Sequence, residues 1–186
     1  FHGRMIEADA GLVNERFFVN AFGVGLDANI AAAANRLKKV PFLSGSRLYY
    51  TAILQQLLFG YQHCPWLTFH LDGVAYEQAI EKRYVLLTVS NGPTYGAGFR
   101  INPRADVSDG LFDICAIAYT PLLRALKLLP VAERGEHEGL PEVTFYRAKT
   151  VRIESKQMVN MLMDGETTSG NSFTVQMMPG ALSIRV

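Results

Sequence analysis

The punctuation of the second half of this chain constrains its fold more than any other feature. Residues 143 to 154, Met158 to Met163, Phe173 to Met178 and Ala181 to Val186 are apolar, strand-like runs, and Asp164-Gly165 and Pro179-Gly180 interrupt them. Strands joined by such short turns pair antiparallel, because a parallel pair needs a crossover of a dozen or more residues. Upstream, residues 16 to 22, Tyr84 to Ser90 and Leu111 to Tyr119 read as further strands. Leu67 to Leu71, Asp72-Gly73 and Val74 to Glu77 read as a two-residue hairpin with a type I′ turn. The predicted class is mainly β with a few helices, an antiparallel sandwich or barrel and not a parallel doubly wound sheet.

Three helices are predicted beside the strands. Gly23 and Gly25 lead through Asp27, which the pattern places at an N-cap, into Ala28 to Lys39, a helix ended before Pro41. A second opens at Ser44 and Ser46 and stops near Gly60, and a third is a leucine-rich helix from Pro121 to Leu129, with the proline in its first turn. Leu122, Leu123, Leu126, Leu128 and Leu129 could touch a membrane, but a helix of about ten residues more readily packs in a core.

Composition narrows the function classes. A chain of 186 residues, 49% of them hydrophobic, is long enough for one well-buried domain. Eighteen basic and seventeen acidic side chains in no like-charged run give no footprint for nucleic acid. Two isolated cysteines, Cys64 and Cys115, make no disulfide framework or zinc motif and suit a reducing, cytoplasmic setting, with Cys115 a buried inert thiol. Leu48 to Leu71 carries no formal charge, yet Gln55, Gln56, Gln62, His63 and Pro65 interrupt it short of the ~20 apolar residues a spanning helix needs. The first residue is Phe1, which suggests a piece of a longer chain. No P-loop and no complete dinucleotide fingerprint occurs, since Gly23-Val-Gly25 lacks its third glycine. His2, His63, His70 and His137 have no zinc-ligand spacing, and no Gly-x-Ser-x-Gly elbow is present.

Two regions can carry chemistry. Residues 91 to 113 form a long, turn-rich loop between two apolar strands, containing Asp106, Asp109 and Asp113. Their spacing does not fit an EF-hand, but a carboxylate with backbone carbonyls could hold Mg²⁺; the alternative is a plain Asp-Gly turn. Asn91 and Asn102 read as loop-bracing side chains. The second region is Asp164-Gly165-Glu166, two carboxylates on a turn after a buried strand, where a general base can be held with its pKa raised towards operating pH; the alternative is a hairpin turn with a solvated Glu. Glu133, Glu136, His137, Glu138 and Glu142 read as a solvated acidic surface loop.

In order along the chain, these pieces resemble the C-terminal domain of the bacterial diacylglycerol kinase and YegS/BmrU-type lipid kinase family, akin to sphingosine and ceramide kinases within an NAD kinase-like superfamily. The carrying residues are Phe18-Val-Asn20, Gly23-Val-Gly25-Leu-Asp27-Ala28, Tyr49-Tyr50 and Val89-Ser-Asn91-Gly92. Gly96-Ala-Gly98, Ile101-Asn-Pro103-Arg-Ala105 and Ser108-Asp109-Gly110-Leu111-Phe-Asp113 follow, then Phe145-Tyr-Arg147-Ala148-Lys149, Asp164-Gly165-Glu166 and Pro179-Gly180-Ala181-Leu182. The resemblance implies one β-sandwich substrate-side domain over residues 1 to 186 of a two-domain kinase, with ATP bound mainly by an N-terminal domain carrying a Gly-Gly-Asp-Gly-Thr motif that this sequence lacks. It implies phosphorylation of a diacylglycerol-like lipid alcohol, by the whole protein and not by this piece alone. Glu166 would be the proton acceptor with Asp164 beside it, and the Asp109 side chain with backbone oxygens at Asp106 and Leu111 would bind Mg²⁺. A peripheral contact with the inner face of the membrane and a homodimer are left open. The rival readings are a non-catalytic lipid- or metal-binding β-module and an NAD kinase-related protein, for which Asn14-Glu15 is a faint echo of an Asn-Glu motif.

Overall fold

The computed structural model describes residues 4–72, 80–96 and 98–185, apart from the side chains of Ser46 and Ile80. Nine strands in these residues form one hydrogen-bonded sheet: β1 (Met5–Val13), β2 (Arg16–Phe18), β3 (Ala21–Gly25), β4 (Trp66–Leu71), β5 (Ile80–Ser90), β6 (Phe112–Ala118), β7 (Val143–Ala148), β8 (Thr150–Met163) and β9 (Glu166–Arg185). Every pairing is antiparallel, in the order β2-β1-β9-β8-β3-β5-β6-β7. Strand β4 lies end to end with β3 between β5 and β8: β4 pairs with the first halves of both partners and β3 with their second halves.

Period-two alternation sends Phe22 and Val24, Leu87 and Val89, Phe112 and Ile114, Val151 and Ile153, and Phe173 and Val175 to one interior. The sheet curls around that interior into a sandwich, so strands far apart in its order meet across the core. Phe18 of β2 stacks on Phe112 of β6 with ring centroids 5.7 Å apart, and Phe69 of β4 meets Tyr146 of β7 edge-on.

Three helices, α1 (Leu26–Leu37), α2 (Gly45–Gln55) and α3 (Leu122–Arg134), cover the outer face of β3, β5 and β6. Alanines at 28, 33 and 34 let α1 lie close to its neighbours while Leu26 and Ile30 fill the contact. A π-helical turn at Gln56–Gly60 and a 3₁₀ turn at Tyr61–His63 prolong α2 towards β4, and Gly135, with φ +77°, ends α3 in a left-handed cap. No helix of the described residues is long and apolar enough to cross a membrane.

Several boundaries differ from the sequence reading. Residues 16 to 22 are two strands, because the chain bends at Val19 and Asn20. Residues 143 to 154 are broken at Lys149, where the Asp72 carboxylate accepts the N–H groups of Lys149 and Thr150 and fixes a corner. The break expected at Pro179-Gly180 is instead a bulge within one long strand, opposite the register shift between Ala8 and Ala10. Pro121 lies one residue before α3, and the helix runs on through Pro130. The returning arm of the Asp72-Gly73 hairpin, Val74 to Glu77, lies outside the described residues; β4 pairs with β5 from Phe69 opposite Ile80 to Trp66 opposite Arg83. Asn14 and Glu15, with φ of 42° and 76°, are the two turn residues of the β1–β2 hairpin, which accounts for the Asn-Glu pair by local geometry.

Candidate functional site

Asp164 and Gly165, both with positive φ, make the two-residue turn between β8 and β9, so the sequence places the Asp-Gly-Glu motif correctly on a tight turn. The two carboxylates have different surroundings. Asp164 Oδ2 accepts the N–H of Val19 at 2.6 Å, and its Oδ1 accepts those of Asn20 at 3.1 Å and Ala21 at 3.0 Å. Three consecutive amides thus hold it, and it holds the bend between β2 and β3. Glu166 projects into solvent, 73% exposed, and meets Arg16 at 2.6 Å. It does not lie in the buried setting that the sequence suggests for a general base.

The Asp109 loop joins this turn through a line of buried polar groups. Asn91 donates its side-chain N–H groups to the carbonyls of Val19 at 3.0 Å and Asp9 at 2.8 Å. Asp9, 3% exposed, then accepts the N–H of Gly110 and that of Gly180, each at 2.7 Å, so one carboxylate ties the Asp109 loop to the β9 bulge. Asn102 donates to Ser90 Oγ at 2.7 Å. Both asparagines are braces, as their loop context predicted.

Asp109 Oδ1 accepts the N–H of Leu111 at 3.0 Å, while its Oδ2 is held by Arg147. Asp106 bonds the N–H and Oγ of Ser108, which holds its carboxyl below the usual range. Burial raises the pKa of Asp113, Arg147 opposes the shift from 3.7 Å, and Asp113 Oδ2 has no hydrogen-bond partner. Among the described residues no three His, Cys, Asp or Glu side chains converge as a metal cluster. A set of one carboxylate and two main-chain oxygens needs no such cluster. Arg147 is shared by Asp109 and Asp113, and one carboxylate with main-chain oxygens is the hard-donor set a small divalent cation takes, provided Arg147 gives up its hold on Asp109.

The largest departure from expectation lies under the helices. Asp27 is not an N-cap: Gly25, with φ +135°, holds that position, and the Asp27 carboxylate turns inward, where Oδ2 accepts the Tyr95 hydroxyl at 2.5 Å and Oδ1 has no partner. Burial pushes its pKa up to about 6 against the opposing pull of the Tyr95 hydroxyl and of the Ala28 and Asp27 backbone N–H groups. Glycine is required at position 23, since a Cβ there would lie 2.3 Å from Tyr95 Oη and 2.5 Å from Asp27 Oδ2. The pair lines a pocket of about 130 Å³ whose other walls include Ile30, Ile53, Leu57, Leu86, Ile117 and Leu129, from all three helices and the sheet. The pocket is partly open to solvent, and its mainly aliphatic walls suit an apolar guest.

No sequence signal links Asp27 to Tyr95, 68 residues on, beyond the glycines that make room for them. His137, expected in a solvated loop, is instead buried, with Nε2 against the Ile101 carbonyl at 2.9 Å, and burial lowers its pKa. Cys115 is buried as expected, and burial pushes its thiol pKa far up.

The chain is 32% identical over 181 residues to a diacylglycerol kinase of Mycobacterium tuberculosis (strain H37Rv), covering 96% of this chain and 54% of that protein. It is 26% identical over 166 residues to a diacylglycerol kinase of Staphylococcus carnosus (strain TM300), covering 88% and 51%. A crystal structure of a diacylglycerol kinase from Bacillus anthracis str. Sterne shares the fold with a TM-score of 0.62 at 16% identity, over 97% of this chain and 53% of that one. The chain therefore spans about half the length of these relatives. Residues 20–186 match the YegS C-terminal NAD kinase beta sandwich-like domain, and the chain belongs to that family.

Proposed function

We propose that this chain is the substrate-side domain of an ATP- and Mg²⁺-dependent lipid kinase, whose whole protein transfers a phosphoryl group to the hydroxyl of a diacylglycerol-like lipid. The observation that carries the reading is the apolar pocket with one unpartnered carboxylate oxygen in its wall. Aliphatic walls suit an acyl chain, and a buried acceptor with no donor is a costly feature that a polar lipid headgroup relieves. The names of the relatives support the same class.

Phosphoryl transfer asks a protein for an oriented hydroxyl, a proton acceptor and neutralised phosphate charge, with little covalent help. In this reading Glu166 accepts the proton, being the carboxylate left free to move, while Asp164 fixes the turn that presents it. Asp109, with main-chain oxygens at Asp106 and Leu111, would hold Mg²⁺, which supplies positive charge beside the transferring group. The ATP site belongs to the remainder of the protein, and this piece alone transfers nothing.

The test is to assay the full-length protein on diacylglycerols of graded chain length and on NAD, with Ala125→Phe as a cavity-filling variant. Long-chain lipid should be phosphorylated, NAD should not, and the variant should raise KM for long chains by about fourfold per methylene displaced while leaving short chains unchanged. Equal effects at all lengths, or turnover of NAD, would refute the reading.

A further inference from the structure

We infer that Arg16 is a further catalytic residue, whose guanidinium binds the oxygens of the transferring phosphoryl group beside Glu166. The inference rests on the lipid-kinase reading and adds a cation next to its proton acceptor. Phosphoryl transfer spreads negative charge over the equatorial oxygens, and a forked, always charged guanidinium matches them in geometry and sign. The Asp164–Glu166 turn carries two acidic side chains, so a phosphate brought to it needs a cation there.

Arg16 meets Glu166 although the strand ladders do not make them neighbours. Strand β2 pairs with β1, and Glu166 faces Met163 in the β8–β9 hairpin. Two restraints bring them together. Asn14, in the turn just before Arg16, donates its side-chain N–H to the Ser172 carbonyl and accepts the Thr174 N–H, each at 2.9 Å, which ties that turn to β9. Past the other end of β2, Asp164 accepts the N–H groups of Val19, Asn20 and Ala21. The backbone that carries Arg16 is thus held on both sides by the hairpin that carries Glu166, and Arg16 Nη2 stands 2.6 Å from Glu166 Oε2.

The backbone is strained where it presents this pair. Four non-glycine residues among the described ones have a left-handed backbone, and three of them, Asn14, Glu15 and Asp164, form the two turns beside Arg16 and Glu166. Asparagine and aspartate tolerate that region, but Glu15, at φ 76°, occupies the turn position where glycine is favoured. Such strain collects at functional sites. Stability does not explain it, because with side chains 48% and 73% exposed this is a surface ion pair of the kind that contributes little. Arg16 also has donors to spare: among the described residues its one side-chain hydrogen bond is that to Glu166, which leaves other guanidinium N–H groups for phosphoryl oxygens. In the transfer step the lipid oxygen bonds to the γ-phosphorus as the bond from that phosphorus to the ADP oxygen breaks. The electron pair leaves with ADP, and the hydroxyl proton passes to Glu166. Arg16, turning from Glu166 to the equatorial oxygens, offsets their charge and releases the carboxylate for that proton.

The test uses the full-length protein in two assays. One is labelled-phosphate transfer from ATP to a diacylglycerol. The other is calorimetric titration with ADP in the presence of that lipid, alone and with aluminium fluoride as a mimic of the transferring group. Arg16→Gln should lower kcat by about 10²–10³-fold, the effect of removing one preorganised donor, with KM for the lipid and the unfolding midpoint unchanged. Arg16→Lys, which keeps the charge and loses the fork, should recover part of the rate. A Glu166→Gln background separates a contact with phosphate from a mere hold on the base, since no carboxylate is left there to hold. In that background Arg16→Gln should leave the affinity for ADP alone unchanged and weaken binding of ADP with aluminium fluoride by at least about tenfold. Equal affinities for the mimic would mean that Arg16 acts only through Glu166, and the inference fails. Loss of ADP binding together with a lower unfolding midpoint would make Arg16 a structural residue and overturn the inference as well. An Arg16→Gln protein that phosphorylates lipid at the wild-type rate overturns it too, and leaves the kinase reading standing. A wild type that phosphorylates no lipid sinks the kinase reading, and the inference with it.

Discussion

Replacing Asp27 by Asn should make the fold more stable at neutral pH, by an amount that vanishes in acid. Burial raises this carboxyl from 3.8 to about 6, which corresponds to about 3 kcal/mol between its protonated and ionised forms. Between those two values the folded chain holds a proton that the unfolded chain has released. The contribution to stability therefore grows as pH falls from about 6 towards 4 and is lost as pH rises through the folded value. Above pH 6 the folded chain carries a buried charge whose Oδ1 has no donor. Asparagine keeps the shape and an oxygen for Tyr95 without the charge. Urea unfolding of both proteins, followed by far-UV circular dichroism between pH 4 and pH 8, should give nearly equal stabilities at the acid end. At the other end the Asn variant should lead by about 3 kcal/mol, or about 6–12 °C in Tm. The difference between the two curves isolates Asp27 from the other titrating groups, including Asp113 and His137. A difference independent of pH would refute the reasoning.

Asp164→Ala should destabilise the protein by about 2–4 kcal/mol, since it removes the acceptor for three amides and puts alanine at a positive φ. Asp164→Gly separates the two effects, because it relieves the φ but not the lost acceptor. Denaturant midpoints that do not move would show that the bend at Val19 and Asn20 stands without this carboxylate. Gly23→Ala should cost about 1–3 kcal/mol by driving Tyr95 and Asp27 apart, and it should return the Asp27 titration towards that of a solvated carboxyl, observable by carbon-13 NMR of the side chain. Unchanged titration would remove the glycine from the account of the cavity.

What could be read from the sequence was local. The Asp164-Gly165 turn and the β8–β9 hairpin announce themselves through turn residues within a few positions, and β5 and β6 through short continuous apolar runs. Strand β1 is hard to read from sequence because Glu7 and Asp9 break its apolar pattern; Asp9 stands at a bulge, where its carboxylate serves two backbone amides from distant segments. Pro179-Gly180 signalled a turn, and the chain used the same chemistry for a bulge. In the candidate site, Asp164 and Glu166 share one turn and could be read together. Asp27 with Tyr95, and His137 with Ile101, join residues dozens of positions apart, and only the folded sheet brings each pair into contact. The apolar cavity is likewise a property of three helices against one sheet face, and no single stretch of sequence encodes it.

The proton-acceptor role of Glu166 is the claim on which the kinase account turns, and labelled phosphate transfer from ATP to a diacylglycerol in mixed micelles tests it directly. Compared with wild type, Glu166→Gln in the full-length protein should lose about 10²–10⁴-fold in kcat, the range general-base catalysis contributes, with KM for the lipid and the unfolding midpoint unchanged. Its exposed pairing with Arg16 is worth little to stability, so a folding defect would not mask the result. Undiminished transfer by the glutamine variant would contradict the assignment of Glu166 and, with it, the mechanism proposed for this domain.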